Sequence, residues 1–184
     1  MNEDRYLGWL ALALVPGLGA RLTAKLLQRF GSPEEIFQAS LTELEAQHLP
    51  ATVAQAIHSQ EAMSAAQKEL AGVQQIGAKL LHWDEPQYPQ LLRQTYDPPP
   101  LLYVRGNPEL LAKHSIAIVG TRKPSPYGTQ MAERLARDLA ERGLVIVSGL
   151  ARGVDSCAHT GALAASSGGT VGILGCGIDI TYPK

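Results

Sequence analysis

Cysteine is scarce. Two residues, Cys157 and Cys176, occur in 184, which excludes a disulfide framework and agrees with a reducing compartment. No apolar run is long enough to span a bilayer, and the N-terminus MNEDRYLGWLALALVPGLG has acids where a secretory signal has bases. A cytosolic protein without membrane contact is therefore expected. The net charge of −1 excludes a global basic field of the kind that gathers polyanions. Aromatic residues make up 5% of the chain, so few rings are at hand for stacking on bases. No G-K-[ST] occurs, and GTRKPSPYG lacks the G-x-G-x-x-G spacing, which argues against a Walker loop and a dinucleotide fingerprint. VSGL lacks the G-x-S-x-G elbow that would make Ser148 a nucleophile. Cys157 and His159 form C-x-H on a helix, with Cys176 far along the chain and His48, His58, His82 and His114 scattered. No standard zinc set has that spacing, so no metal or cofactor is expected, and Cys157 and His159 are read as facing the sheet or packing beside it.

What is present describes an ordinary folded chain: 45% hydrophobic residues and 18% charged residues of mixed sign. The charge is uneven. Residues 1–78 hold 5 Lys/Arg against 8 Asp/Glu and residues 79–184 hold 11 against 9, so any polyanion must be met by local clusters in the second half.

Residues 1–78 read as a compact all-helical domain. Leu7, Leu10 and Leu14 repeat at helical spacing, PGLG at 16–19 breaks the helix, and Leu22, Leu26 and Leu27 resume the period until Gly31. Ser32 with Pro33 and Glu35, then Ser40 with Glu43, match helix N-caps. Pro50 is expected to open one long Ala-rich helix reaching about Gly72. Two helices joined by VPGLG suit either a helix-hairpin-helix grip on DNA phosphates or a plain helical hairpin; the acidic balance of the domain favours the latter. Residues 79–110 are read as linker and edge strands. DEPQYPQLLRQTYDPPP is the connection, and AKLLHW and LLYVRG are short strands along the edge of the sheet that follows.

Residues 111–184 alternate regularly. SIAIVG, LVIVSG and TVGILG are apolar runs separated by MAERLARDLAERG, with Met131, Leu135 and Leu139 on one face, and by DSCAHTGALAAS. Strand–helix–strand–helix–strand is half of a Rossmann-like, doubly wound parallel sheet, which binds ligands at its C-terminal strand ends. Those ends read GTRKPSPYG, SGLARG and GCGIDITYPK. Gly120 and Gly149 let backbone approach an anion, Thr121, Ser125 and Ser148 offer hydroxyls, and Arg122 and Arg152 bring forked positive charge. Asp155 fits as N-cap of the second helix. With both nucleotide fingerprints missing, a sugar-phosphate backbone suits this edge better than NAD or a triphosphate. Tyr127 and Tyr182 lie near it, so backbone charge should dominate over base contact, with steep salt dependence and little sequence preference.

VGTRKPSPYG, IVSGLARGVDSCAHTGAL and GILGCGIDITYP, in that order, resemble the DNA-processing protein A family (DprA, also called Smf), closely over 115–184 and loosely over the helical front. The resemblance implies an α/β chain with an N-terminal SAM-like helical domain and an extended Rossmann-like domain. It also implies single-stranded DNA and the RecA recombinase as partners during natural transformation, and a homodimer for full-length members. Carried over by residue, it places Gly120, Thr121 and Arg122 in a phosphate pocket, with Ser148, Gly149, Arg152 and Gly153 opposite and Lys184 as a further backbone contact. The family's second domain continues beyond TYPK, so a truncated sheet with an uncovered face, lacking the pairing surface, is expected. Two alternatives stand beside this reading: a nucleotide-binding enzyme on a similar scaffold, such as a phosphoribohydrolase with Asp155 or Asp179 as its carboxylate, and a helical domain devoted to protein contacts.

Overall fold

The computed structural model describes residues 3–181. The chain divides into two compact units, one ending at Arg105 and the other beginning at Gly106.

The first unit starts with α1 (Glu3–Leu14), α2 (Ala20–Phe30), α3 (Pro33–Gln38), α4 (Leu41–Glu45), α5 (Ala51–His58) and α6 (Ala62–Gln75). Side-chain caps set two of the starts. Ser32 Oγ accepts from the Glu35 N–H, and Ser40 and Glu43 form the full reciprocal box, each cap contributing about 1 kcal/mol. Of the expected stripe on α1, Leu10 is buried, Leu7 half-buried and Leu14 exposed, and Gly8, Trp9, Ala11 and Leu12 are buried beside Leu10. Five consecutive buried residues, Gly8 to Leu12, mean that α1 is covered on most sides, and it packs against α6 and α3. At α3, a Cβ on Gly8 would lie 2.8 Å from that of Pro33. The single long helix expected after Pro50 is two. Gln60 turns left-handed (φ 57°) between α5 and α6, and its side-chain amide donates to the Phe37 carbonyl.

Two short strands complete this unit, β1 (Lys79–His82) and β2 (Leu101–Val104), with a single turn of helix between them, α7 (Gln90–Arg93). The strands were expected along the edge of the parallel sheet; instead they pair antiparallel with each other, Leu81 opposite Leu102. The proline-rich segment between them is folded into the unit. Tyr88 is buried with its hydroxyl donating to the Pro99 carbonyl, and Arg93 donates to the Trp83 carbonyl and to Asp84. His82 lies stacked on Trp9 with ring centroids 4.6 Å apart, and Trp83 meets Trp9 edge-on.

The second unit opens with a 3-10 turn (Pro108–Ala112), then β3 (Ser115–Ala117), α8 (Pro126–Ala140), β4 (Val145–Ser148), α9 (Val154–Leu163) and β5 (Gly169–Gly172). The three strands form a parallel sheet in the order β3-β4-β5, with Ile116, Ile146 and Thr170 in register. This is the expected mixed α/β arrangement with a parallel sheet. Ile146 sits in a core with Ala136 and Ala140 of α8 and Ala158 and Ala162 of α9.

The fully buried face of α8 is therefore Ala132, Ala136 and Ala140; of the larger side chains Leu139 packs half-buried against this core while Leu135 is 48% exposed. The reason is helix spacing. A Cβ on Gly161 of α9 would strike the Glu133 carbonyl of α8, and backbones that close leave room for alanine alone. β3 is exposed along its length, and Val119 and Ile173, just beyond β3 and β5, are 71% and 57% exposed.

Candidate nucleic-acid interface

Parallel strands in the order β3-β4-β5 bring three loops side by side at their C-terminal ends, with the β4–α9 loop in the middle. The loops are joined by their own backbone. Val154 N–H donates to the Thr121 carbonyl at 3.1 Å, and Ile173 N–H donates to the Ser148 carbonyl at 2.8 Å. Gly153 (φ 90°) is the N-cap of α9, and a Cβ there would strike the Thr121 carbonyl and lie 2.8 Å from Arg122 Cα. Glycine is needed at this position twice over, for its dihedral angle and for its missing Cβ. Thr121 and Arg122 thus lie directly against the backbone that carries Arg152 and Gly153, and both arginines are exposed.

Three residues expected to offer donors to a ligand are turned inward. Ser148 is buried, and its hydroxyl donates to the Ile118 carbonyl at 2.6 Å, clipping the end of β4 to that of β3. The Gly120 and Gly149 amides donate to Asp155, at 3.4 Å to Oδ1 and 3.1 Å to Oδ2. A Cβ on Gly120 would lie 2.8 Å from Val154, and one on Gly149 would lie 2.9 Å from the Asp155 carboxylate. Their small size serves close packing of the loops on α9, and the carboxylate takes the place that an anion would have. Asp155 is not the N-cap that its spacing suggested; it is buried as the second residue of α9, and it ties the ends of two strands.

The outward surface is then made of side chains. Thr121 is exposed, with its hydroxyl oxygen accepting from the Lys123 N–H at 3.2 Å, and Arg122, Lys123 and Arg152 are exposed beside it. Ser125 caps α8 by accepting from Gly128 N–H. Lys184 and Tyr182 lie outside the described residues. The two loops enclose one carboxylate, the internally bonded Asp155, so their own exposed charged side chains are cationic, while Asp179 is exposed in the loop after β5.

Beneath the surface, His159 faces the sheet as expected. Its Nδ1 lies 2.7 Å from Thr170 Oγ1, and the threonine hydroxyl donates to the Ile146 carbonyl. Thr170 therefore accepts from Nδ1–H, which leaves Nε2 as a bare acceptor, buried and without a partner among the described residues. Burial pushes the imidazole below its ordinary pKa, with the Asp155 carboxylate pulling the other way. Cys157 is half-buried and Cys176 exposed, and no three metal-binding side chains cluster among the described residues.

Sequence reasoning missed two contributors. Lys123 adds a cation in the same loop as Arg122; its place beside Arg122 in the sequence was the available signal. Leu150 is left-handed (φ 57°) with its side chain pressed on Gly172; no sequence signal marks a non-glycine residue in that conformation.

Comparison with known proteins bears on this surface. The family model for DNA recombination-mediator protein A matches residues 79–184, which include all three strand-end loops. DNA processing protein DprA of Bacillus subtilis is 39% identical over 116 residues, covering 62% of this chain and 39% of the Bacillus protein. The crystal structure of DprA from Streptococcus pneumoniae matches with a TM-score of 0.74 at 28% identity, over 100% of this chain and 61% of the pneumococcal one. DNA processing protein A from Helicobacter pylori, studied structurally for its single-stranded DNA binding mode, matches with a TM-score of 0.50 at 39% identity, over 58% of this chain and 46% of its own. The chain thus spans between 39% and 61% of the length of these proteins.

Proposed function

The chain belongs to the DNA recombination-mediator protein A family, and on that footing we propose that it binds single-stranded DNA across the C-terminal edge of its parallel sheet. In this reading it is a non-catalytic part of a protein that protects incoming strands and helps load the RecA recombinase during natural transformation, acting in the cytoplasm as a homodimer when full length. The observation that carries the reading is the packing of the Thr121–Arg122 backbone on Gly153, which holds two arginine-bearing loops side by side at the strand ends. Arg122 and Arg152 grip phosphate oxygens, and Thr121 and Lys123 supplement them. The family resemblance adds Lys184, outside the described residues, as a further backbone contact. Ser148, Gly120, Gly149 and Gly153 build the frame that sets the spacing of these side chains. The single-stranded DNA binding of the Helicobacter relative supports the choice of polyanion.

An enzyme on this scaffold needs a carboxylate free to act as acid, base or nucleophile. Asp155 accepts from two backbone amides and is buried, which leaves the exposed Asp179 as the carboxylate such an enzyme would have to use. Titration of labelled single strands, duplex and mononucleotide separates these readings. Arg122→Ala is expected to weaken single-strand binding about tenfold and to flatten its salt dependence by about one phosphate contact, while stability changes by less than about 0.5 kcal/mol. Tight mononucleotide binding with indifference to oligonucleotides overturns the proposal in favour of the nucleotide enzyme.

A further inference from the structure

Tyr127 has no structural task in the fold. Of the described tyrosines, Tyr6 donates to Glu85, Tyr88 donates to the Pro99 carbonyl, Tyr96 lies under Arg21 with its hydroxyl hydrogen-bonded to that guanidinium, and Tyr103 is hydrogen-bonded to Glu69. Tyr127 is 72% exposed, and neither its hydroxyl nor its ring has a hydrogen-bond or ring partner among the described residues. It is also the one aromatic residue of Phe, Trp or Tyr type between 106 and 181. A large apolar ring left in water forgoes a burial free energy that the other tyrosines gain in part.

Its place is at the strand ends. Tyr127 is the second residue of α8, which begins directly after the loop carrying Arg122 and Lys123. The turn that presents it is stiff. Pro124 and Pro126 flank it, Ser125 caps the helix by accepting from Gly128 N–H, and a Cβ on Gly128 would lie 3.4 Å from Pro124 Cβ. A ring on a rigid turn loses little conformational freedom when something stacks on it. Cations for phosphates with an exposed ring beside them are the two components of a surface for unpaired nucleotides, because a base offers its face only when it is out of a duplex.

We propose that Tyr127 is a stacking platform for a nucleobase of the bound strand, a reading that rests on the strand-binding site proposed above and gives that site its preference for unpaired DNA. Arg122 and Arg152 hold the backbone, and the ring of Tyr127 takes one base.

The test titrates the full 184-residue chain with an oligothymidylate of about fifteen nucleotides and with an abasic strand of equal length. Tyr127→Ala is expected to weaken oligothymidylate binding about tenfold, to leave abasic binding and the salt slope unchanged, and Tyr127→Phe is expected to restore the loss. Equal loss on both strands, or no loss on either while Arg122→Ala weakens both, overturns the platform and leaves the backbone site standing. If the wild-type chain binds neither strand, or Arg122→Ala changes neither affinity, the strand-binding reading falls and the platform falls with it.

Discussion

The two units bury their surface by opposite means. In the first, large side chains fill the interior: Leu10, Leu12, Leu26, Ile36, Leu44 and Ile57 are fully buried, each contributing about 1.5–3 kcal/mol by removal from water. In the second, α8 and α9 approach so closely that Ala132, Ala136, Ala140, Ala158, Gly161 and Ala162 line the contact, while Leu135, Leu163, Val119 and Tyr127 remain exposed. The first unit is held by volume, the second by proximity of backbone. A frame fixed by glycines and carboxylate–amide bonds leaves the long side chains of the strand-end loops on the outside.

Opposite substitutions should therefore break the two units. Gly161→Val drives a side chain into the Glu133 carbonyl and is expected to cost about 3 kcal/mol or more. Both tryptophans, Trp9 and Trp83, precede residue 106, so the loss should be seen in far-UV circular dichroism with a smaller change in the tryptophan transition. Leu10→Ala, at about 3 kcal/mol, should move tryptophan emission first. If both variants shift the two signals equally, the contrast between the units is lost.

A smaller effect is expected at the frame of the interface. Asp155→Asn keeps the shape but has one acceptor oxygen for two amides, and its NH2 faces the other N–H. A stability loss of about 1–2 kcal/mol should accompany a single-strand affinity weakened several-fold, although the changed side chain lies under the proposed contact surface. Unchanged affinity would show that the loop ends keep their spacing without the carboxylate.

The smallest effect is that of pH, and it sharpens the comparison because each unit holds one buried histidine. Burial lowers the pKa of His82 in the first unit and of His159 in the second, with Glu85 and Asp155 opposing it respectively. A lowered folded-state pKa means that the unfolded chain takes up protons first. The stabilisation is complete above the ordinary histidine value, about 6.5, and is lost as pH falls through the lower folded value. Melting temperature should drop by a few degrees between about pH 7 and pH 5. His82→Phe should blunt the drop seen by tryptophan emission, because that ring stacks on Trp9.

Local signals were legible wherever one residue and its near neighbours settle the outcome. Ser32 and Ser40 cap their helices, the three apolar runs become parallel strands, and His159 turns to the sheet, whereas Ser125, read as a hydroxyl for the ligand, caps α8. Misreadings arose where the deciding partner is distant in the chain. Gln60 breaks a helix because its amide meets the carbonyl of Phe37, and β1 finds β2 across the proline-rich segment. Of the apolar face Met131, Leu135 and Leu139, Leu139 packs against the core and Leu135 does not, because the spacing that Gly161 imposes reserves the closest contact for alanine.

The order of residues alone determined the division into a helical front and a strand–helix–strand sheet, and with it the edge at which Arg122 and Arg152 gather; these depend on periodicity and capping, which act within a few residues. Tertiary structure alone decided which polar groups at that edge face outward. Hydrogen bonds and steric limits between segments far apart turned the Ser148 hydroxyl and the Gly120 and Gly149 amides inward, and left Arg122, Arg152 and Tyr127 on the surface.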